Sequence, residues 1–240
     1  MKKFAFLFLN VMVFACADKP ETKRVDPEIF NLANSDPAAV ELADSIVSAA
    51  GGETPWQEVR FISWMDGKYK FYWDKLTSTV RVEDEARVAI INVSSRDGQA
   101  KISGSEVSDT TILSKELATA YQRWRLSSDK VFITYMLKQP GNSLHYFGEE
   151  IIDGKRYNIL QVNFNTRAGE SKYILYVDLP GNRIKELRYF RKADQSSPTM
   201  IFHYDEYQTS NGIIFSVSSG SDINSVLIGD PISENLFTEL

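Results

Sequence analysis

The sequence predicts a mainly β protein: an antiparallel sheet of about 11–12 strands, one N-terminal helix and a central helical pair. Three observations carry this. Short runs rich in Val, Ile, Tyr and Phe recur from Trp56 to Ile228 and are joined by tight turns, several of them Asp-Gly or Asn-Gly. Turns of that kind join neighbouring strands antiparallel. Apolar residues fall at helical spacing only near the N-terminus and in the middle of the chain. Hydrophobic residues make up 43% and charged residues 25%, an ordinary globular composition, so the strands have a core to bury.

The chain opens with a short positive segment, Met1-Lys2-Lys3, and an apolar run at 4–14 broken only by Asn10. At about 11 residues the run is too short to span a bilayer and fits a signal sequence. Val13-Phe14-Ala15-Cys16 follows and resembles the lipobox of bacterial lipoproteins. The resemblance implies that residues 1–15 are removed and that Cys16 is acylated, which makes the membrane the first expected partner. Each buried methylene contributes roughly 0.8 kcal/mol, and two or more acyl chains anchor stably. Cys16 is the only cysteine, so the chain has no internal disulfide and, once Cys16 is acylated, no thiol for catalysis or metal binding. Residues 16–35 read as a lipidated tether, polar and of alternating charge at 17–25, and residues 36–240 as one β domain. Loss of the signal removes two lysines and no acid, taking the net charge from −5 to −7. An acidic body argues against nucleic-acid binding and gives no attraction to anionic lipid surfaces.

Asp36-Pro37 opens the first helix, with Asp as N-cap and Pro in the first turn. Val40, Ala43, Ile46, Val47 and Ala50 then recur at helical spacing, and Gly51-Gly52 ends it. Strands follow at 59–65 and 68–73 around Asp66-Gly67, with Tyr69, Phe71 and Trp73 on one face. Further strands lie at 77–83 and 88–93, and a weaker one at 100–103 follows Asp97-Gly98. The strand pattern then stops. Leu113, Leu117, Tyr121 and Trp124 form a helical stripe at i, i+4, i+8 and i+11. Ser127-Ser128-Asp129 interrupts it and caps a second short helix through Leu137, and Gln139-Pro140-Gly141-Asn142 ends the pair. Strands resume at 144–152 and 155–164 around Asp153-Gly154, then at 172–178 and 183–191 around Leu179-Pro180-Gly181-Asn182. The last run at 200–207, 213–218 and 223–228, with Asn211-Gly212 as a turn.

This order of helix, meander, helical pair and meander resembles the bacterial lipoprotein carriers and receptors LolA and LolB and their relatives. The phrases that carry the resemblance are Phe147-Gly148-Glu149-Glu150-Ile151-Ile152-Asp153-Gly154-Lys155-Arg156-Tyr157, Tyr173-Ile174-Leu175-Tyr176-Val177-Asp178, and Tyr204-Asp205-Glu206-Tyr207 with Asn211-Gly212-Ile213. Gly51-Gly52 with Trp56, and Ala120-Tyr121 with Trp124, look like uncharacterised Bacteroidetes lipoproteins. The resemblance implies an incomplete antiparallel β-barrel, a half-barrel whose concave face the helices cover. It implies an envelope location, expected at the outer membrane and facing the periplasm. Lipidation points away from a freely diffusing carrier and toward a receptor-like or unrelated role.

No chemical motif stands out. His145 and His203 lack partners at metal-ligand spacing, and no nucleophile elbow, phosphate loop or dinucleotide fingerprint occurs. Glu149-Glu150 and Asp205-Glu206 are adjacent on strands and point to opposite faces, so neither pair makes an acid–base dyad by itself. No catalytic residue, metal or cofactor is expected. The aromatic load is large, with 14 Phe, 11 Tyr and 4 Trp. Core packing accounts for most of it. A half-barrel, however, has a concave face that its helices need not fill. Phe71, Trp73, Leu113, Leu117, Tyr121, Trp124, Leu160 and Val162 are the candidates to line such a cavity and bind a lipid-like or acyl-chain ligand. The competing expectation is an interaction module for another envelope protein, with no small ligand. A monomer is expected in either case.

Overall fold

In a computed structural model, which describes residues 29–166, 169–217 and 220–240, the strands form two large antiparallel sheets with a long helix between them. Cys16, the signal and the charged part of the tether lie outside the described residues. Residues 29–35, the end of the expected tether, run beside the second sheet. Asn31 donates its N–H to the Asn142 carbonyl at 3.0 Å, and Asp36 to the Leu144 carbonyl at 2.9 Å.

Helix α1 (Pro37–Ala49) starts where Asp36-Pro37 predicts, because proline lacks only an N–H that a first turn leaves unbonded anyway. Ala39, Leu42, Ala43, Ile46 and Val47 form its buried face. The chain leaves α1 at Gly51, where a Cβ would stand 2.2 Å from the Gly212 carbonyl oxygen, so only glycine fits. A short helix, α2 (Glu53–Glu58), follows; six residues are too few to show a helical period in sequence.

A meander then builds the first sheet: β1 (Phe61–Asp66), β2 (Tyr69–Asp74), β3 (Thr79–Glu83), β4 (Arg87–Asn92), β5 (Gly98–Ile102) and β6 (Ser105–Glu106). Helix α3 (Thr110–Met136) crosses to the second sheet, β7 (Ser143–Ile152), β8 (Lys155–Thr166), β9 (Gly169–Asp178), β10 (Ile184–Phe190) and β11 (Met200–His203). A hairpin, β12 (Tyr207–Ser210) and β13 (Ile213–Ser216), follows, and β14 (Ile223–Ile228) returns to pair with β1. The two large sheets share no ladder among the described residues, so the antiparallel surface stays open and is not closed into a barrel. This is the half-barrel class that the sequence predicts.

The structure has 14 strands among the described residues, against the expected 11–12. The additions are short: β6 has two residues, and the expected run at 200–207 ends at His203, with β12 beginning afresh at Tyr207. The turns set the register. Asp153-Gly154 and Asn211-Gly212 are two-residue loops with positive φ at both positions, matching the right-handed twist of the strands they join. At Asp66 the pairing Asp66–Tyr69 moves the loop one residue on, to Gly67-Lys68. Asp66 therefore ends a strand, and its carboxylate accepts a hydrogen bond from Lys130 Nζ at 2.6 Å.

The central helical pair breaks later than expected. Residues 110–136 run as two helical segments joined at a kink at Phe132 (φ −117°, ψ 15°), and not at Ser127. Asp109 caps the first, its carboxylate accepting from the N–H groups of Thr111 and Ile112 at 2.9 Å. Serine and aspartate weaken isolated helices because their side chains compete for backbone hydrogen bonds. Here all three are buried and bonded within the fold. Trp64 Nε1 donates to Ser127 Oγ at 2.8 Å, Ser128 Oγ donates to the Arg125 carbonyl at 3.0 Å, and Asp129 accepts from Arg125 and Tyr173. The polar triplet fastens the helix to both sheets instead of ending it.

Helix α3 divides the core in two. Leu117, Ala120, Trp124, Val131, Phe132 and Met136 pack on the inner face of the first sheet. Ile133 and Leu137 turn the other way and join α1 on the inner face of the second.

Candidate functional site

The structure brings together part of the set that the sequence singles out. Phe71 and Trp73 on β2 meet the stripe of α3, and Trp73 stands edge-on to Trp124 with centroids 5.3 Å apart and planes at 79°. Leu117 is buried beside them, and Leu113 and Tyr121 pack on the same cluster half-exposed. Leu160 and Val162 do not lie across from this stripe. They belong to the second cluster, with Ala39, Leu42 and Ile46 of α1. A helix between two sheets has two working faces, and the stripe from Leu113 to Trp124 marks only one of them. Six of the eight residues are closed inside core packing: Phe71, Trp73, Leu117, Trp124, Leu160 and Val162.

The space left open lies under the other face of α3. Tyr121, Arg125 and Asp129 repeat every four residues, so they stack in one line along the helix and point at the second sheet. With Gln122 and Leu126 they roof a cavity of about 370 Å³. Its floor is Phe164 of β8, Ser171 and Tyr173 of β9, Tyr189 of β10, and Arg191 just beyond β10. The aromatic rings are fixed by one another. Phe164 stands edge-on to Tyr173 at 4.7 Å, and Tyr173 lies 5.2 Å from Tyr189.

One wall of this cavity is charged. Arg125 Nε donates to Asp129 Oδ2 at 2.9 Å, and Tyr173 Oη donates to the same oxygen at 2.6 Å. The Arg125 guanidinium lies over the Phe164 ring, 4.6 Å from its centroid. Burial works against the cation, but the Asp129 charge, helped by Tyr121 and Tyr173, outweighs it and raises the Arg125 pKa. Burial first and Asp129 second hold the Tyr173 hydroxyl well above its ordinary range, so at neutral pH it is a proton donor. Arg125 is thus a fixed cation, hydrogen-bonded to Asp129. Reading residue 129 as a helix break hid this arrangement; the legible signal was the four-residue spacing of Arg125 and Asp129 in line with Tyr121.

Two other hollows are more polar or more open. One of about 650 Å³ lies beside residues 31–36 and includes His145, whose Nδ1 is 3.6 Å from Asp36 Oδ2. The other, about 1210 Å³, lies over the side of the second sheet turned away from α3, where His203 Nδ1 is 3.2 Å from Glu186 Oε2. Each histidine thus has a carboxylate neighbour, and no group of three or more His, Cys, Asp or Glu among the described residues is placed to hold a metal.

Several solved structures follow a partly similar course. A DUF1329 family protein from Desulfovibrio piger is 13% identical, covering 85% of this chain and 98% of that one, with a TM-score of 0.43. A domain assigned to outer membrane lipoprotein sorting, from Vibrio parahaemolyticus, is 8% identical over 84% of this chain and 97% of its own, with a TM-score of 0.41. The lipoprotein LppX of Mycobacterium tuberculosis is 12% identical over 83% and 99%, with a TM-score of 0.31. No family model and no curated protein matches the chain.

Proposed function

We propose that this chain is a non-catalytic lipoprotein of the bacterial envelope, held by lipid on Cys16 at the outer membrane and facing the periplasm. Its body binds a lipid-like ligand in the cavity between α3 and the second sheet. The observation that carries the reading is the contrast along α3. The face toward the first sheet is filled with side chains, whereas the face toward the second leaves about 370 Å³ between aromatic walls. That volume falls in the range of about 300–1,000 Å³ usual for small-molecule sites. Tyr121 touches the ligand directly, and Trp124 supports it from a centroid distance of 5.6 Å. Phe71, Trp73, Leu113 and Leu117 hold α3 in place from one side, and Leu160 and Val162 hold the floor from the other.

The test uses the mature chain produced without its signal, so that Cys16 is not acylated. A fluorescent fatty acid binds it saturably, and lipid extraction with mass spectrometry finds a co-purifying lipid. Ser171→Phe places a ring in the cavity and weakens the probe by about tenfold or more, equivalent to about 1.4 kcal/mol. A wild-type chain that binds no apolar probe overturns the reading. The anchor is checked separately: Cys16→Ser abolishes incorporation of labelled fatty acid in cells, and continued labelling would show that the lipid sits elsewhere.

One observation favours a second reading, an interaction module. Phe147 and Ile151 on the edge strand β7 are 63% and 74% exposed. Residues 35 and 36 bond to this edge at Leu144 and Tyr146, and the exposed apolar side chains beyond them suit strand pairing with another protein. An empty cavity in the purified chain, together with loss of one specific partner on Phe147→Lys, would favour this reading.

A further inference from the structure

The charged wall of the cavity is more than a structural ion pair. Arg125 spends only Nε on Asp129; its two terminal nitrogens make no hydrogen bond among the described residues. About 17% of its side chain remains exposed, and the residue lines the cavity. Arg191, exposed and on the same lining, brings a second guanidinium. Both act on one group: at the Tyr189 hydroxyl, burial is the largest effect and raises the pKa, Arg191 lowers it, Asp129 raises it, and Arg125, with a smaller effect, lowers it. The cavity has one opposing carboxylate against these two cations. Asp129 Oδ2 accepts from Arg125 and Tyr173, and Oδ1 is sealed from solvent without a hydrogen-bond partner. The charge that the cavity offers to a ligand is therefore positive, in a chain whose net charge is −5. Tyr121, Leu126, Phe164 and Tyr173 supply the apolar remainder.

We infer that the ligand is an amphiphile with an anionic oxyacid headgroup, a carboxylate or a phosphate. The headgroup sits on the terminal nitrogens of Arg125 and beside Arg191, and the tail lies along the aromatic walls. The inference rests on the binding reading above and narrows it to a chemical class. Planar guanidinium donors match the paired oxygens of carboxylate and phosphate, and hydrogen bonds between charged partners are about twice as strong as neutral ones. A neutral alcohol of the same length offers one uncharged oxygen and cannot match both prongs of a guanidinium as the paired oxygens of a carboxylate or phosphate do.

The test compares palmitate, hexadecanol, lysophosphatidic acid and inorganic phosphate on the same unacylated mature chain, by displacement of a neutral fluorescent probe well above the carboxylate pKa range. Palmitate and lysophosphatidic acid bind about tenfold or more tighter than hexadecanol. Arg191→Gln, an exposed change outside the core, cuts that preference about threefold. Arg125→Lys keeps the charge and retains part of the preference, whereas Arg125→Gln abolishes it in a chain shown folded by circular dichroism. Equal binding of hexadecanol and palmitate overturns the headgroup assignment and leaves the binding reading standing. Displacement by inorganic phosphate as effective as that by the amphiphiles makes the site one for small anions and overturns the amphiphile. If no probe binds, the binding reading fails and the inference fails with it.

Discussion

Replacing Trp64 by alanine is expected to destabilise the body by about 3–5 kcal/mol, the range for large aromatic truncations in a core. Trp64 is 1% exposed and is the largest of the fully buried side chains. Its ring stacks on Phe71 with centroids 5.0 Å apart and planes at 10°, and it meets Phe132 edge-on at 5.6 Å. Two losses add. The cavity removes these ring contacts on both the β2 side and the α3 side, and Ser127 Oγ loses the 2.8 Å hydrogen bond that replaces water for it. Trp64→Phe separates the two, because it keeps most of the ring and removes the N–H, at an expected cost of about 1–3 kcal/mol for the orphaned hydroxyl. Against a typical domain stability of about 5–15 kcal/mol, the alanine variant should unfold at a much lower urea concentration. Urea unfolding followed by circular dichroism checks this. An alanine variant within about 1 kcal/mol of wild type would mean that α3 is not fastened to the first sheet through this residue.

The same contact shows where the sequence is legible and where it is not. Trp64 reads as a strand residue and Ser127 as part of a break, but nothing local says that they meet across 63 positions. Hairpins are legible because Asp-Gly and Asn-Gly act within four residues, and α1 is legible because Asp36-Pro37 and Gly51-Gly52 mark both ends. The continuity of α3 through residues 127–129 is not, because Ser127, Ser128 and Asp129 are poor helix formers by propensity, and Ser127 and Asp129 are held by distant partners. Periodicity finds the stripe Leu113, Leu117, Tyr121 and Trp124 and does not say which sheet it faces. It found Tyr121, which stands at the border of both faces, and missed Arg125 and Asp129 because charged residues on a helix usually mark its solvated side. Phe164, Tyr173 and Tyr189 escaped notice for another reason: β8, β9 and β10 carry apolar residues on both faces, and alternation then gives no inner side.

Replacing Asp129 by alanine is the second change expected to be severe. It strands Arg125, 17% exposed, opposite a wall of aromatic rings, and removes the acceptor of the Tyr173 hydroxyl. Breaking one side of a buried pair costs about 3–5 kcal/mol, because the remaining charge has lost its partner without regaining water. The lower end is expected here, since part of the guanidinium still reaches solvent through the cavity. The double variant Arg125→Met, Asp129→Leu should recover most of that loss, because a well-packed apolar pair is often as stable as the ion pair it replaces. A double-mutant cycle measured by urea unfolding checks the coupling, and losses that simply add would show that the pair behaves like a surface bridge. The double variant also separates the two tasks of this wall. If Arg125 and Asp129 served only to hold α3 against the second sheet, an apolar replacement would leave the cavity as selective as before. If Arg125 receives a headgroup, the same folded variant should still bind hexadecanol and lose its preference for palmitate, so that stability and selectivity part company at one pair of residues.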